Sequence, residues 1–351
     1  MRSLHHFFSI LLLGSLGLVN QSLHAEGSAQ AIDAAVVISA RLAEIDQHAL
    51  QAKAEIEQNP EALVAYLTQN TLTDKEKVRA IFRWIADRFE YDVDSYFSGQ
   101  LKAHDIQELL ASRKGVCDGF SSVFATLSQH AKLPVKTITG HAKGAPSGRL
   151  EDPSKANHAW NAVQIEGKWY VVDATWAAGQ VNGKSYQRNL DEFYFLAPPE
   201  KLLLSHFAFN DELGVQTAVN LSHEEFIKLP SMPPHLMHAG FDGMDVLTSA
   251  RQGSFKRFVE TFDQPFGSFQ VLDAPVQYRL RTAPQTLRIS SSIFEQLAAV
   301  QGADFTYFSV RDNVFELTWQ PAAGPLFIMG RKPDRTGFNG LLGYEVVAAT
   351  E

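Results

Sequence analysis

Apolar residues recur at helical spacing through the first half of the chain. From Ala31 to about Tyr66, Ala, Leu, Ile, Glu and Gln dominate, which predicts one or two surface helices. Thr73 with Glu76 forms an N-cap pattern ahead of an apolar stripe made of Val78, Ile81, Phe82 and Ile85. A second stripe contains Cys117, Phe120, Val123, Phe124, Leu127 and Ala131. Each stripe predicts a helix that buries one face against a core.

Two runs rich in Val, Ile, Trp and Tyr predict a β-hairpin. They cover residues 160–165 and 168–173 and are separated by Glu166-Gly167. A two-residue turn would place His158 diagonal to Asp173 on one face, with Cα atoms ~7–8 Å apart, a distance that these side chains bridge with a hydrogen bond. A three-residue loop would send Asp173 to the other face, so the prediction depends on the turn.

A strand and a loop are predicted between the second helix and this hairpin. Val135 to Thr139 has strand composition, and Lys143 to Lys155 is rich in Gly, Pro and Ser. Because the loop ends just before His158, we expect it to border any site that forms there.

The residue composition of the chain changes after residue 229. Three prolines lie between residues 229 and 234, and we place a linker there. Short runs of β-branched and aromatic residues follow, among them Phe269–Leu272, Val276–Leu280 and Phe305–Val310. Such runs between turn signals predict a β-sandwich.

Residues 1–25 have the pattern of a secretory signal peptide. Arg2 is positively charged, Phe7 to Val19 is mostly apolar, and small Ala25 suits the cleavage site. The apolar run is shorter than the ~20 residues that a membrane-spanning helix needs. We therefore predict a periplasmic or secreted protein without a membrane span. One cysteine in 351 residues excludes an internal disulfide, and a formal net charge of −8 gives no attraction to nucleic acid.

The single cysteine lies where a nucleophile is expected. Cys117 begins a predicted helix, where free N–H groups and the helix dipole favour a thiolate. His158 and Asp173 follow as a base and its orienter, which makes a candidate catalytic triad. The alternative is that Cys117 is a buried structural residue, His158 an ordinary histidine and Asp173 a strand-end cap. Histidines 104, 130, 141 and 206 lack HExxH-like spacing, so no metal or cofactor is predicted.

The order of these motifs resembles the transglutaminase-like superfamily. The matching segments are Ala80–Ile85, Tyr91-Asp92, Gly115–Phe120, His158–Asn161 and Gly167–Trp176. Within the superfamily, the chain is most similar to the kyphoscoliosis peptidase branch and its bacterial relatives, which also share the segments Phe193–Leu196, Ser205–Phe207 and Leu229-Pro230. The resemblance covers roughly residues 75 to 235.

The resemblance implies an α+β fold with a papain-like core, in which the helix that bears the cysteine packs on an antiparallel sheet. It implies Cys117 as nucleophile, His158 as general base and Asp173 as orienter, and it implies an immunoglobulin-like β-sandwich after the core. The expected organisation is a signal peptide (1–25), an N-terminal helical segment (26–72), a transglutaminase-like catalytic domain (73–230) and a β-sandwich domain (240–351).

The expected function is that of an exported Cys-His-Asp thiol enzyme that acts on amide or peptide bonds through a thioester acyl-enzyme. Asp118 stands where cross-linking transglutaminases have an aromatic residue, which favours a peptidase or amidase. The absence of CxxC pairs argues against zinc-containing glycan-releasing relatives. The alternatives are a protein-glutamine transamidase and a non-catalytic peptide- or cell-wall-binding protein. The sequence leaves the substrate open among peptide, protein and cell-wall amides, and it leaves the oligomeric state open.

Overall fold

The computed structural model describes residues 40–100, 105–143, 154–230, 234–252, 257–262, 264–265 and 267–348. The predicted signal peptide and most of the loop predicted between residues 143 and 155 lie outside these ranges. Within them, no helix combines the length and the apolar character that crossing a membrane requires.

The chain up to residue 252 contains both helices and strands. In chain order they are α1 (40–50), α2 (Ala54–Glu57), α3 (Pro60–Thr68), α4 (Asp74–Arg88), β1 (Glu90–Tyr91), α5 (Val93–Ser98), α6 (Ile106–Ser112), β2 (Lys114–Gly115), α7 (Cys117–His130), β3 (Val135–Ala142), β4 (His158–Ile165), β5 (Lys168–Val172), α8 (Ala174–Ala178), β6 (Gly179–Asn182), β7 (Ser185–Arg188), β8 (His206–Ala208), α9 (Val215–Ala218), α10 (His223–Lys228), α11 (Pro234–His238) and α12 (Gly243–Gln252). Two 3-10 helices, Glu192–Tyr194 and Pro199–Leu202, lie between β7 and β8.

The central sheet of this part has the strand order β5-β4-β3-β8, and its strands are antiparallel. Helix α7 packs on β3 and β4 and contacts α4 on its other side. The prediction of an α+β arrangement, with the cysteine helix on an antiparallel sheet, is confirmed.

Most helices of this part begin at a side chain that caps them. Thr73 accepts a hydrogen bond from the Glu76 backbone N–H at 3.2 Å, as the sequence predicts. The same kind of cap is formed at six other helix starts, by Asn59, Asp92, Asp105, Asp173, Ser222 and Asp242. These caps satisfy N–H groups that have no partner within their own helix.

The hairpin forms in the predicted register. Ile165 pairs with Lys168, and the ladder continues to the pair of Asn161 and Val172. Glu166 and Gly167 have φ angles of 51° and 79°, so both central residues are left-handed, as in a type I′ turn. Glycine suits this conformation because it has no Cβ.

The N-terminal helices belong to the core and are not only a surface layer. Ile45 on α1 and Leu63 on α3 are buried in the same apolar cluster as α4. Arg79 of α4 is also buried, and its guanidinium donates to both carboxylate oxygens of Asp46 at 2.6 Å and to Glu192. The ion pair with Asp46 joins α1 to α4, a contact that the helical spacing of apolar residues in this segment did not predict.

The second part of the chain is built from strands. They are β9 (Glu260–Thr261), β10 (Gln270–Asp273), β11 (Arg279–Arg281), β12 (Gln285–Ser290), β13 (Gln296–Gln301), β14 (Asp304–Tyr307), β15 (Ser309–Arg311), β16 (Val314–Trp319), β17 (Gly324–Arg331) and β18 (Asn339–Val347). One sheet has the order β10-β12-β16-β15, and the other has the order β11-β18-β17-β13-β14, with β9 on β18.

The run Phe305–Val310, predicted as one strand, is two strands in different sheets. Strand β14 pairs with β13, and β15 pairs with β16. Between them Phe308 is buried, and its backbone N–H donates to Leu297 at 3.0 Å. The chain bends at this buried ring and passes from the sheet that contains β14 to the sheet that contains β15.

The predicted linker at residues 229–234 leads into helix α11, and helix α12 lies within the range 240–351 that was expected to be a β-sandwich. Gly243 of α12 lies against the backbone of Glu200, where a Cβ atom would be 2.5 Å from the carbonyl oxygen. Arg251 of α12 forms an ion pair with Glu225 at 2.6 Å. On the other side, the Val271 N–H donates to the Ala239 carbonyl at 2.6 Å. The segment therefore contacts both parts of the chain.

Candidate active site

Cys117 is the first residue of α7 and is half-buried. The residue before the helix, Val116, supplies no side-chain cap. The preceding strand is held by a parallel pair with β1, in which Tyr91 is the partner of Gly115. The first N–H groups of α7 therefore have no partner in their own helix and none in an N-cap side chain.

His158 and Asp173 are brought together by the hairpin. The His158 Nε2 atom lies 2.7 Å from Asp173 Oδ2, and both side chains are buried. The Cys117 side chain lies close enough to the same imidazole to raise its pKa. Because Nε2 is bonded to the carboxylate, Nδ1 is the ring nitrogen left for the thiol. The three residues singled out in the sequence thus lie together in one chain of contacts.

The Asp173 carboxylate has four hydrogen-bond donors. Its Oδ1 atom caps α8 by accepting from the backbone N–H groups of Thr175 and Trp176, each at 3.0 Å. Its Oδ2 atom accepts from His158 and, at 3.2 Å, from Nε2 of His206. A carboxylate offers about four lone-pair sites, so this buried anion is fully satisfied. Asp173 is both a helix cap and the partner of two histidines.

Burial and charge act in opposite directions on this group of residues. Burial disfavours the charged form of His158, but Asp173 and then Cys117 outweigh it and raise the pKa of His158 to about 10. Burial likewise opposes ionisation of Asp173, but His158 and then His206 hold the pKa of that carboxyl well below its usual range. At neutral pH the pair is therefore an imidazolium and a carboxylate.

His206 is the site residue that the sequence did not identify. The segment Ser205–Phe207 formed part of the family resemblance but carried no role. It reaches the site because β8 pairs with β3, an interaction between strands 64 residues apart in the chain, with Ala142 opposite His206. No local spacing predicts that pairing.

His158, Asp173 and His206 offer three potential metal ligands whose atoms lie within 4.8 Å of one another. However, both imidazole nitrogens already bond to the same carboxylate oxygen. A metal ion would have to replace both hydrogen bonds within a fully buried cluster. The arrangement therefore fits a hydrogen-bonded network better than a set of ligands.

Aromatic side chains surround the candidate triad. The Trp176 ring lies 5.1 Å from His158, and the Trp160 ring lies 5.8 Å from it. Tyr91 pairs with Gly115, two residues before Cys117, and burial and then the charge of Cys117 raise the pKa of its phenol. In the part of the chain that the structure describes, the Tyr91 hydroxyl has no hydrogen-bond partner, and the Tyr96 ring packs on its edge at 5.7 Å.

The model of the transglutaminase-like superfamily matches residues 61–174. This range includes Cys117, His158 and Asp173. The resemblance to this superfamily that the sequence indicates is therefore confirmed for these residues.

The relatives agree with the branch that the sequence indicates. The chain is 35% identical to the kyphoscoliosis peptidases of Mus musculus and Homo sapiens over 151 residues, which are 42% of this chain and 23% of each relative. The chain therefore spans about a quarter of the length of these relatives. Among solved structures, a TGase is 20% identical with a TM-score of 0.28, over 40% of this chain and 36% of the other. The periplasmic domain of TgpA from Pseudomonas aeruginosa is 22% identical with a TM-score of 0.27, over 38% and 47%.

Proposed function

We propose that the protein is an exported thiol enzyme that acts on amide or peptide bonds, with Cys117 as nucleophile, His158 as general base and Asp173 as orienter. The observation that supports this most is the buried 2.7 Å contact between His158 and Asp173, made by an imidazole that also reaches the Cys117 thiol. A structural cysteine would not need this partner.

The proposed reaction has two steps. In the first, His158 holds the proton of Cys117 and the sulfur attacks the substrate carbonyl carbon. The oxyanion is bound by the backbone N–H of Cys117 and by the Tyr91 hydroxyl. His158 then protonates the leaving amine as the C–N bond breaks, which leaves a thioester. In the second, water attacks the thioester, His158 accepts its proton, and the acid and the thiol are released.

Hydrolysis is preferred over transamidation because of the residue after the nucleophile. Asp118 is exposed and acidic, so the approach to Cys117 lacks the aromatic residue found in cross-linking enzymes. A protein-glutamine transamidase remains the second candidate, since an amine acceptor needs the same thioester. The two are separated by supplying a peptide amide with a primary amine and measuring whether the acyl group is recovered as the amine conjugate or as the free acid, since ammonia is released in both cases.

The test of the triad is the rate at which iodoacetamide alkylates Cys117 as a function of pH. The wild-type rate is expected to stay high well below pH ~8.5, the ordinary thiol pKa, because His158 holds the proton. His158→Ala and Asp173→Asn are expected to lose this reactivity in acid, and Cys117→Ala gives the background. An ordinary thiol profile that His158→Ala leaves unchanged would favour the non-catalytic binding protein.

The remaining parts of the proposal concern export and domains. Export predicts that mass spectrometry of the secreted protein finds a new N-terminus near Glu26. We propose that residues 73–230 are the catalytic domain and that residues 240–351 are an immunoglobulin-like sandwich that positions a peptide, protein or cell-wall substrate. The crossing of β14 and β15 between two sheets supports a sandwich. A proteolytic cut between residues 229 and 243 that leaves two compact fragments would support this division.

A further inference from the structure

His206 contacts the Asp173 carboxylate. It is the last residue in the chain of contacts that runs from Cys117 through His158 and Asp173. Its imidazole is 5% exposed. One ring nitrogen, Nε2, meets Asp173 Oδ2 at 3.2 Å, and the other, Nδ1, meets the Ser205 hydroxyl at 2.9 Å. The ring is enclosed by Trp160 and Trp176, with centroids 4.9 and 4.6 Å away. Every polar atom of this buried ring thus has a partner.

The charge and tautomer of His206 follow from these contacts. Burial lowers the pKa of His206, so the ring is neutral. A neutral ring carries one N–H, and the Asp173 anion requires that hydrogen on Nε2. In the other tautomer, the lone pair of Nε2 would face the negatively charged carboxylate. Nδ1 is then an acceptor, and the Ser205 hydroxyl donates to it. The alternative acceptor of that hydroxyl, the Leu202 carbonyl, is farther away at 3.2 Å.

The central sheet places both imidazoles on one face. His158 on β4 is the partner of Gly140 on β3, and His206 on β8 is the partner of Ala142. Gly140 and Ala142 are two residues apart, so their partners point to the same side of the sheet. The two histidines therefore approach Asp173 from strands on either side of β3, each fixed by backbone pairing.

Resting on the proposed function, we propose that His206 is a positioning residue that holds the Asp173 carboxylate in the orientation that His158 needs. The two bonds to Oδ1 fix one end of the carboxylate, and the direction of Oδ2 depends on its own two donors. Of these, His158 gives up and regains a proton in every cycle. His206 stays neutral and enclosed, so it is the constant partner of Oδ2.

The experiment compares His206→Gln, His206→Leu and the control His130→Leu. Gln keeps an N–H donor near the position of Nε2, whereas Leu keeps only bulk. His130 is an exposed histidine at the end of α7 and undergoes the same chemical change. Near-UV circular dichroism confirms that each variant is folded. The first readout is the pH profile of Cys117 alkylation, and the second is the pKa of the His158 imidazole measured by NMR.

In His206→Leu we expect the acid limb of alkylation to move up by about one pH unit and the pKa of His158 to fall, because Oδ2 is no longer held toward His158 and the contact that stabilises the imidazolium weakens. We expect His206→Gln and His130→Leu to match the wild type. Equal shifts in the Leu and Gln variants would mean that only packing matters, and a His158 pKa that stays or rises in His206→Leu would also overturn the proposal. The NMR readout does not depend on thiol chemistry. A wild-type alkylation profile that is independent of His158 would instead contradict the proposed function.

Discussion

The strongest stability prediction concerns Glu57, which links the N-terminal helices to the segment before the nucleophile. Its buried carboxylate accepts from Trp84 Nε1 at 3.0 Å, from Arg88 Nε at 2.9 Å and from the Arg113 guanidinium. Arg113 ends α6 and directly precedes β2, the strand before Cys117. Replacing Glu57 with Gln keeps the shape of the side chain and removes its charge.

The size of the effect follows from what each partner retains. Removing one partner of a fully buried ion pair costs about 3–5 kcal/mol. Here Arg88 keeps Asp87 at 2.7 Å and the Leu50 carbonyl at 2.8 Å, and the Arg113 side chain is 37% exposed, so water offsets part of the loss. One amide N–H of the Gln would also face the Arg113 donor. We expect Glu57→Gln to lower the free energy of unfolding by about 2–3 kcal/mol.

The assay is urea unfolding followed by tryptophan fluorescence and far-UV circular dichroism. With an m-value of about 3 kcal/mol/M, the midpoint should fall by about 0.7–1 M. Glu55→Gln is the matched control, because Glu55 is exposed on the same short helix and undergoes the same chemical change. A midpoint for Glu57→Gln that equals that of Glu55→Gln would refute the reasoning that this buried carboxylate organises its three donors.

Three further predictions address the sheet, the pH dependence and the oxyanion. Gly140→Ala should destabilise the fold by at least about 2 kcal/mol, because its Cβ would lie 1.9 Å from the Phe207 carbonyl oxygen. Gly337 has open space around a Cβ, so the control Gly337→Ala should leave the midpoint of the same urea assay unchanged. The folded pKa of His158 is raised from 6.5 to about 10, so its stabilising contribution is complete below pH 6.5 and is lost as pH rises through 10. His158→Ala should therefore flatten the alkaline fall in the urea midpoint, and an unchanged slope would contradict this. Tyr91→Phe should slow acylation by a p-nitrophenyl ester about 10²-fold and leave iodoacetamide alkylation unchanged, because only acylation forms an oxyanion. Equal effects on both reactions would exclude the Tyr91 hydroxyl as an oxyanion donor.

Much of the site was predictable because its signals are local. Glu166 and Gly167 form a two-residue turn in which both residues have left-handed backbone conformation. This turn sets the register of the hairpin, and the register brings His158 close to Asp173. The helix that starts at Cys117 was predicted from apolar spacing and is present. In each case the residues that carry the information are neighbours in the sequence.

The rest depends on contacts between distant residues. His206 reaches Asp173 only through the pairing of β8 with β3, and the two strands are separated by the whole hairpin. Phe308 gives no local sign that its strand will divide between two sheets. Arg79 is not part of the apolar stripe that predicts its helix, and its role appears once Asp46 and Glu192 converge on it. Tertiary pairing decided these features, and no local pattern encodes it.

The missing cap on α7 has a consequence for how substrate and protein depend on each other. Seven other described helices begin with a side-chain oxygen on their first turn, and α7 begins with Val116, which has none. A carbonyl oxygen that binds beside Cys117 would take the position that a Ser or Asp occupies elsewhere. The ligand would then act as the N-cap that the chain itself does not provide. Binding of a carbonyl beside Cys117 would therefore stabilise the first turn of α7, and an ordered first turn would in turn favour binding.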